Sequence, residues 1–174
     1  MTTAPTWQAI PAAEFCDIAD HWVAASWPMN REQAIDYAAQ LGWVPKKAKG
    51  QTLLVNPRAT ISIPDVKVAI GLSSGEVTNI RFALTDTVYG EPPAELATFA
   101  ADQFTLYYRE GVTRWGEAEL WRARQRDSDV KEHPFTTARW SFGDDKVAIA
   151  LTQGLGKVYV NFDVPGPEGS EAGR

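Results

Sequence analysis

The fold class turns on ARWSFGDDKVAIALTQGLGKVYVNF, residues 138–162. Its apolar residues fall at every second position in three runs: Ala138/Trp140/Phe142, Val147/Ile149/Leu151 and Val158/Val160/Phe162. Successive side chains of a strand point to opposite faces, so each run predicts a strand with one buried face. Gly143-Asp144-Asp145 and Gln153-Gly154-Leu155-Gly156 supply turns between them. Strands joined this tightly must pair antiparallel. A sheet with one apolar face needs helices on that side alone.

The same alternation recurs upstream in Ile61/Ile63, Val68/Ile70/Leu72 and Ile80/Phe82/Leu84, with Ser73-Ser74-Gly75 turning the last two into a hairpin. Pro64-Asp65 leaves open whether 60–63 and 66–72 are one bent strand or two, and Thr52–Val55 is a further short apolar run. Elsewhere the period is helical. Phe15, Ile18, Ala19, Trp22 and Val23 mark a helix over 11–26, with Pro11 and Glu14 suited to its start. Asn30 with Gln33 forms a capping-box pattern for a helix over 30–41, and Gly42 stands at its C′ position. Leu96, Phe99, Ala100, Phe104 and Tyr107 mark a third helix over 92–109, expected to end at Gly111. The expectation is a two-layer α+β domain over 11–163: an antiparallel sheet of about six strands with three helices on one face. A short arm, 1–10, precedes it, and a Gly- and Pro-rich tail, 164–174, should be disordered.

Length and composition allow one ordinary globular domain: 174 residues, 44% hydrophobic and 22% charged. A net charge of −5 argues against a general nucleic-acid binder, which needs a basic surface, and would suit a basic partner. Cys16 is the only cysteine, so no internal disulfide forms. No apolar run spans a membrane, and the N-terminus lacks the basic and apolar regions of a signal peptide, so the expected location is the cytosol.

The residues offer little chemistry. His21 and His133 stand far apart with no cysteine pair to join them, so no metal site and no cofactor are expected. Cys16, among alanines and aromatics on a helix, reads as a structural thiol; His21 reads as a boundary residue and His133 as a solvent-facing one. Glu117 and Glu119, two apart among arginines, lack the contrasting surroundings that separate an acid from a base. Gly154-Leu155-Gly156 is a hairpin turn, without the third glycine and helix of a dinucleotide site. Lys46, Lys47 and Lys49 read as a solvated loop. An enzyme is not expected.

What remains is RWGEAELWRARQRDSDVKEHP, residues 114–134, dense in charge around Trp115 and Trp121. It reads as a solvated loop, as a partner-gripping surface, or as a short edge strand with Trp121 and Ala123 inward and Leu120, Arg122 and Arg124 on the other face. Trp and Arg are the residues most often found as binding hot spots. As a gripping surface its anchors would be Trp121, Arg122, Arg124 and Arg126, with Asp127 and Asp129 as rim charges that steer a basic partner.

Trp22 and Trp27 around a first helix, Leu41-Gly42-Trp43 after a second, an Ile-rich hairpin, a helix closing at Gly111, and Arg139-Trp140 leading into Val-rich strands make a recognisable order. Over roughly residues 10–163 it resembles the small actinobacterial domains of unknown function found among polymorphic-toxin immunity proteins. Size and composition are similar to members of that neighbourhood that neutralise a secreted NAD glycohydrolase. The resemblance implies a cytosolic antitoxin that occludes the active site of its toxin in a 1:1 complex. It transfers no contact residue. A secretion chaperone, which would dimerise, and a small-ligand-binding domain with an aromatic pocket around Trp22, Trp43 and Tyr107 are the competing readings.

Overall fold

Eleven elements follow one another: α1 (Ala12–Val23), α2 (Arg31–Gln40), β1 (Val44–Lys49), β2 (Thr52–Asn56), β3 (Val68–Ser73), β4 (Glu76–Ala83), α3 (Ala94–Trp115), β5 (Glu119–Arg126), β6 (Glu132–Phe142), β7 (Val147–Gly154) and β8 (Lys157–Asp163). The computed structural model describes residues 7–59, 68–86, 91–126, 132–144, 146–154 and 156–164, with backbone alone at 123–126 and 132–134. The expected strand at 60–63, the Pro64-Asp65 bend and the tail from 165 lie outside the described residues, as do residues 1–6 of the arm.

The class is α+β, and every strand pair is antiparallel. The sheet has eight strands rather than about six, in the order β1-β2-β3-β4-β8-β7-β6-β5. The two additions are its edges. β1 is exposed at every position, and a strand without a buried face shows no alternation to read. That hid it behind three lysines, and it corrects the loop expected at Lys46–Lys49. β5 is the other edge, and it corrects the loop reading of 114–134 over residues 119–126.

One set of alternate strand positions faces the helices. Ile80 lies opposite Phe162, Phe82 opposite Val160, Leu151 opposite Val160 and Trp140 opposite Ile149. These side chains share one core with Phe15, Ile18 and Trp22 of α1, Ala34 and Ala38 of α2, and Ala100, Phe104 and Tyr107 of α3. Phe142, expected inside, is only partly buried. Burying each large side chain of this kind contributes on the order of 2 kcal/mol. The aromatics make a chain of contacts: Trp22 to Trp43 at 5.8 Å, Trp43 to Phe82 at 5.4 Å, and Trp115 to Trp140 at 5.2 Å between ring centroids. Tyr107, whose ionisation burial disfavours, donates its hydroxyl hydrogen to the Ile10 carbonyl at 2.6 Å, tying α3 to the segment before α1.

Helix ends follow local chemistry. Asn30 and Gln33 exchange the two capping-box bonds, each 2.9 Å. α3 does not stop at Gly111 but runs on to Trp115, ending where Gly116 takes φ +90°. Gly111 sits mid-helix because a Cβ there would lie 2.7 Å from the Trp140 ring, so glycine lets helix and strand approach. The last turn of α3 is also pinned to α1. Arg114 Nη1 donates to Asp17 at 2.6 Å and Asp20 at 3.0 Å, which favour its charged form, and Trp115 Nε1 donates to Asp20 at 2.7 Å. No helix among the described residues is long and apolar enough to cross a membrane.

Candidate binding surface

β5 leaves the end of α3 through Gly116, whose carbonyl accepts a 2.9 Å hydrogen bond from Trp140 Nε1. It then pairs with β6 from Glu119 opposite Arg139 to Arg126 opposite Glu132. This is the edge strand foreseen as one reading of the segment, but its burial differs. Leu120, opposite Ala138, is on the helix side of the sheet and 49% exposed, while Trp121, opposite Thr137, is on the other side and 42% exposed. Trp121 therefore does not pack inward. β6 is its only strand neighbour among the described residues, so half its ring has nothing to lie against. Arg122 is exposed beside it. The backbone places 124 and 126 further along the same strand; Asp127 and Asp129 lie outside the described residues. The structure thus puts Trp121 and Arg122 on one exposed edge strand, but on opposite faces of the sheet, Arg122 on the side of Leu120.

Of the seven tryptophans, Trp121 alone is exposed: Trp22, Trp27, Trp43 and Trp140 are buried, and Trp7 and Trp115 partly so. Trp22, Trp43 and Tyr107, considered above as walls of a ligand pocket, are instead core side chains, 0%, 1% and 0% exposed. A shallow depression of about 200 Å³ does open at the start of β5, lined by Trp115, Glu117, Glu119, Arg139 and Trp140 among others. Its two glutamates are both exposed.

The sheet face turned away from the helices carries residues that the sequence did not single out. Trp121, Thr137, Thr152 and Tyr159 stand in one row across β5, β6, β7 and β8. Thr137 and Thr152 are both buried and share a 3.0 Å hydrogen bond. Over the Tyr159 ring lie the Arg81 guanidinium carbon, 5.0 Å from the centroid, and Lys157 Nζ at 5.6 Å. Arg81 Nε also donates to Asn161 Oδ1 at 3.0 Å. Burial, and then the neighbouring Arg81 charge, disfavour the protonated form of Lys157. Asp163 is pushed above the usual carboxylate range by burial, against the opposing pull of Arg139 and Arg81. The available sequence signal was the other half of the alternation, an aromatic among basic residues at the polar positions of β4 and β8.

The remaining candidates have structural surroundings. Cys16 is buried, and burial pushes its thiol up to about 12, so the thiolate is scarce at neutral pH. His21 Nε2 lies 2.8 Å from the Tyr37 carbonyl, and its ring tilts against Tyr37 at 4.6 Å, as befits a boundary residue joining α1 to α2. His133 is on β6 opposite Gln125, its side chain undescribed. Among the described residues, no three His, Cys, Asp or Glu side chains gather as they would around a metal ion.

Residues 13–164 match a family of unknown function, DUF6301. Comparison with curated proteins and with solved structures finds no match.

Proposed function

The chain belongs to DUF6301, a family of unknown function, and from its surface we propose that it is a binding protein that occludes the active site of a cognate secreted toxin, an immunity protein acting in the cytosol. The observation that carries this reading is the single exposed tryptophan, Trp121, on an edge strand next to Arg122. A protein that buries or half-buries six of seven tryptophans gains no core stability from leaving the seventh 42% exposed at an edge. Tryptophan and arginine are enriched among the side chains that supply most binding energy when a partner desolvates them. The NAD glycohydrolase as toxin class comes from the resemblance drawn from the sequence.

The test is co-expression with the toxin domain encoded by the neighbouring reading frame. Restored growth and a 1:1 complex in sedimentation are expected. Alanine variants at Trp121, Arg122, Arg124, Arg126, Asp127 and Asp129 then map the contact by neutralisation and melting temperature. A chain that neither restores growth nor binds, or that sediments as a stable homodimer clasping unfolded toxin, would replace this reading with that of a chaperone or another class.

A further inference from the structure

We propose that the binding surface continues from Trp121 across the open face of the sheet to Tyr159, Arg81 and Lys157, and that the partner meets it with an acidic surface. This deepens the proposed function and rests on it for the partner being a protein.

Continuity is the first ground. The row Trp121–Thr137–Thr152–Tyr159 crosses four adjacent strands, and at about 4.8 Å per strand it spans some 14 Å. Its middle is made of small residues, Ala148, Ala150, Thr152 and Gly154 of β7, all buried. The row therefore carries an aromatic at each end, Trp121 exposed and Tyr159 partly buried.

Charge is the second ground. Pairing and alternation place Lys47, Lys49, Arg81, Arg139 and Lys157 on this face. Glu76, Glu119 and Asp163 share it, so five cations stand against three carboxylates. A chain with a net charge of −5 thus gathers cations on the sheet face opposite the core that the described helices share. The ion pairs of the described residues all centre on Arg114, at the other side of the molecule, so Arg81, Arg139 and Lys157 have no salt bridge there. Arg81 and Lys157 share one tyrosine ring and repel each other. An incoming carboxylate relieves that repulsion and gains two cations already held against an aromatic. A second copy of this chain would set cations against cations, so self-association does not fit the face. Net charge alone suggested a basic partner; the distribution reverses that.

The experiment titrates the full isotope-labelled chain, in 25 mM and 150 mM salt, with an acidic twelve-residue peptide carrying one tryptophan. Controls are the lysine version of that peptide, a twelve-nucleotide single-stranded DNA, and phosphatidylserine vesicles. The acidic peptide should shift backbone amides of β4, β6 and β8 and bind more weakly at the higher salt. Arg81→Gln with Lys157→Gln should weaken it about tenfold, with unchanged circular dichroism and melting. Arg109→Gln, an exposed arginine on α3, should not. The proposal falls if the lysine peptide binds as well, if Arg109→Gln weakens binding equally, or if DNA or vesicles bind in preference. Normal toxin neutralisation by the double variant at both salt concentrations would overturn this surface while leaving the immunity reading intact. Peptide binding on this face without any toxin complex would overturn the immunity reading alone.

Discussion

The two edge strands of the sheet face one problem with different chemistry. An edge presents a row of backbone groups that another strand can pair with. β1 carries Pro45, Lys46, Lys47 and Lys49, all exposed, and a register irregularity between Pro45 and Lys47. Proline, lysines and a bulge each discourage pairing with another chain. β5 instead displays Leu120 and Trp121, 49% and 42% exposed, over eight regularly paired residues. β1 leaves only Val44 as an exposed large apolar side chain, at its first position before the blunting residues, whereas β5 keeps two, one of them a tryptophan. The difference teaches that exposure at β5 is a local choice, because the same sheet shows how an edge is closed.

The largest expected effect separates the supports of the two edges. Trp140 packs on Trp115 and Gly111 and donates to the Gly116 carbonyl, so it holds the turn from which β5 departs. Trp140→Ala should cost about 3–5 kcal/mol of stability. Native-state hydrogen exchange should accelerate in β5 and β6 before it does in β1 and β2. Equal acceleration at both edges would show that Trp140 serves the whole core and not the β5 side.

How far this was legible follows from what each strand buries. The three strands from β6 to β8 were readable because each shows the core a clean set of alternate apolar residues. Edge strands β1 and β5 bury little and keep no such record, so lysines and arginines there looked like loop. Gly111 misled in a different way: glycine is a helix stop by local propensity, and only the distant Trp140 ring explains it inside a helix. For the site, residue type alone pointed to Trp121 and Arg122. Arg81, Tyr159 and Lys157 were invisible because β4 and β8, separated by α3 and three strands in the chain, become neighbours only in the sheet.

A smaller effect sharpens the functional side of the comparison. Trp121→Ala should cost the complex roughly 2 kcal/mol or more, mainly through faster dissociation measured by surface plasmon resonance. Its cost to folding should stay at about 1 kcal/mol or less, the scale of one cross-strand pair. A large loss of stability with unchanged dissociation would return Trp121 to the role of a packing residue. The smallest effect tests β1. Replacing Pro45, Lys47 and Lys49 together by Val, Thr and Thr should produce weak, concentration-dependent self-association in sedimentation velocity. If the variant stays monomeric at high concentration, the lysines and proline are not what closes that edge.

Among the described residues β8 is the last strand, yet it lies between β4 and β7 and is the one that joins β1–β4 to β5–β7. During synthesis β1–β4 can assemble by local hairpins, but β4 must wait, one side unpaired, until the final strand has left the ribosome. Such a late, long-range pairing is slower to form than a hairpin and exposes sticky intermediates in the meantime. A premature stop ahead of Lys157 would therefore divide the molecule into two half-sheets instead of trimming an end. Until Lys157–Asp163 has been made, no described strand joins the β5–β7 half-sheet to β1–β4.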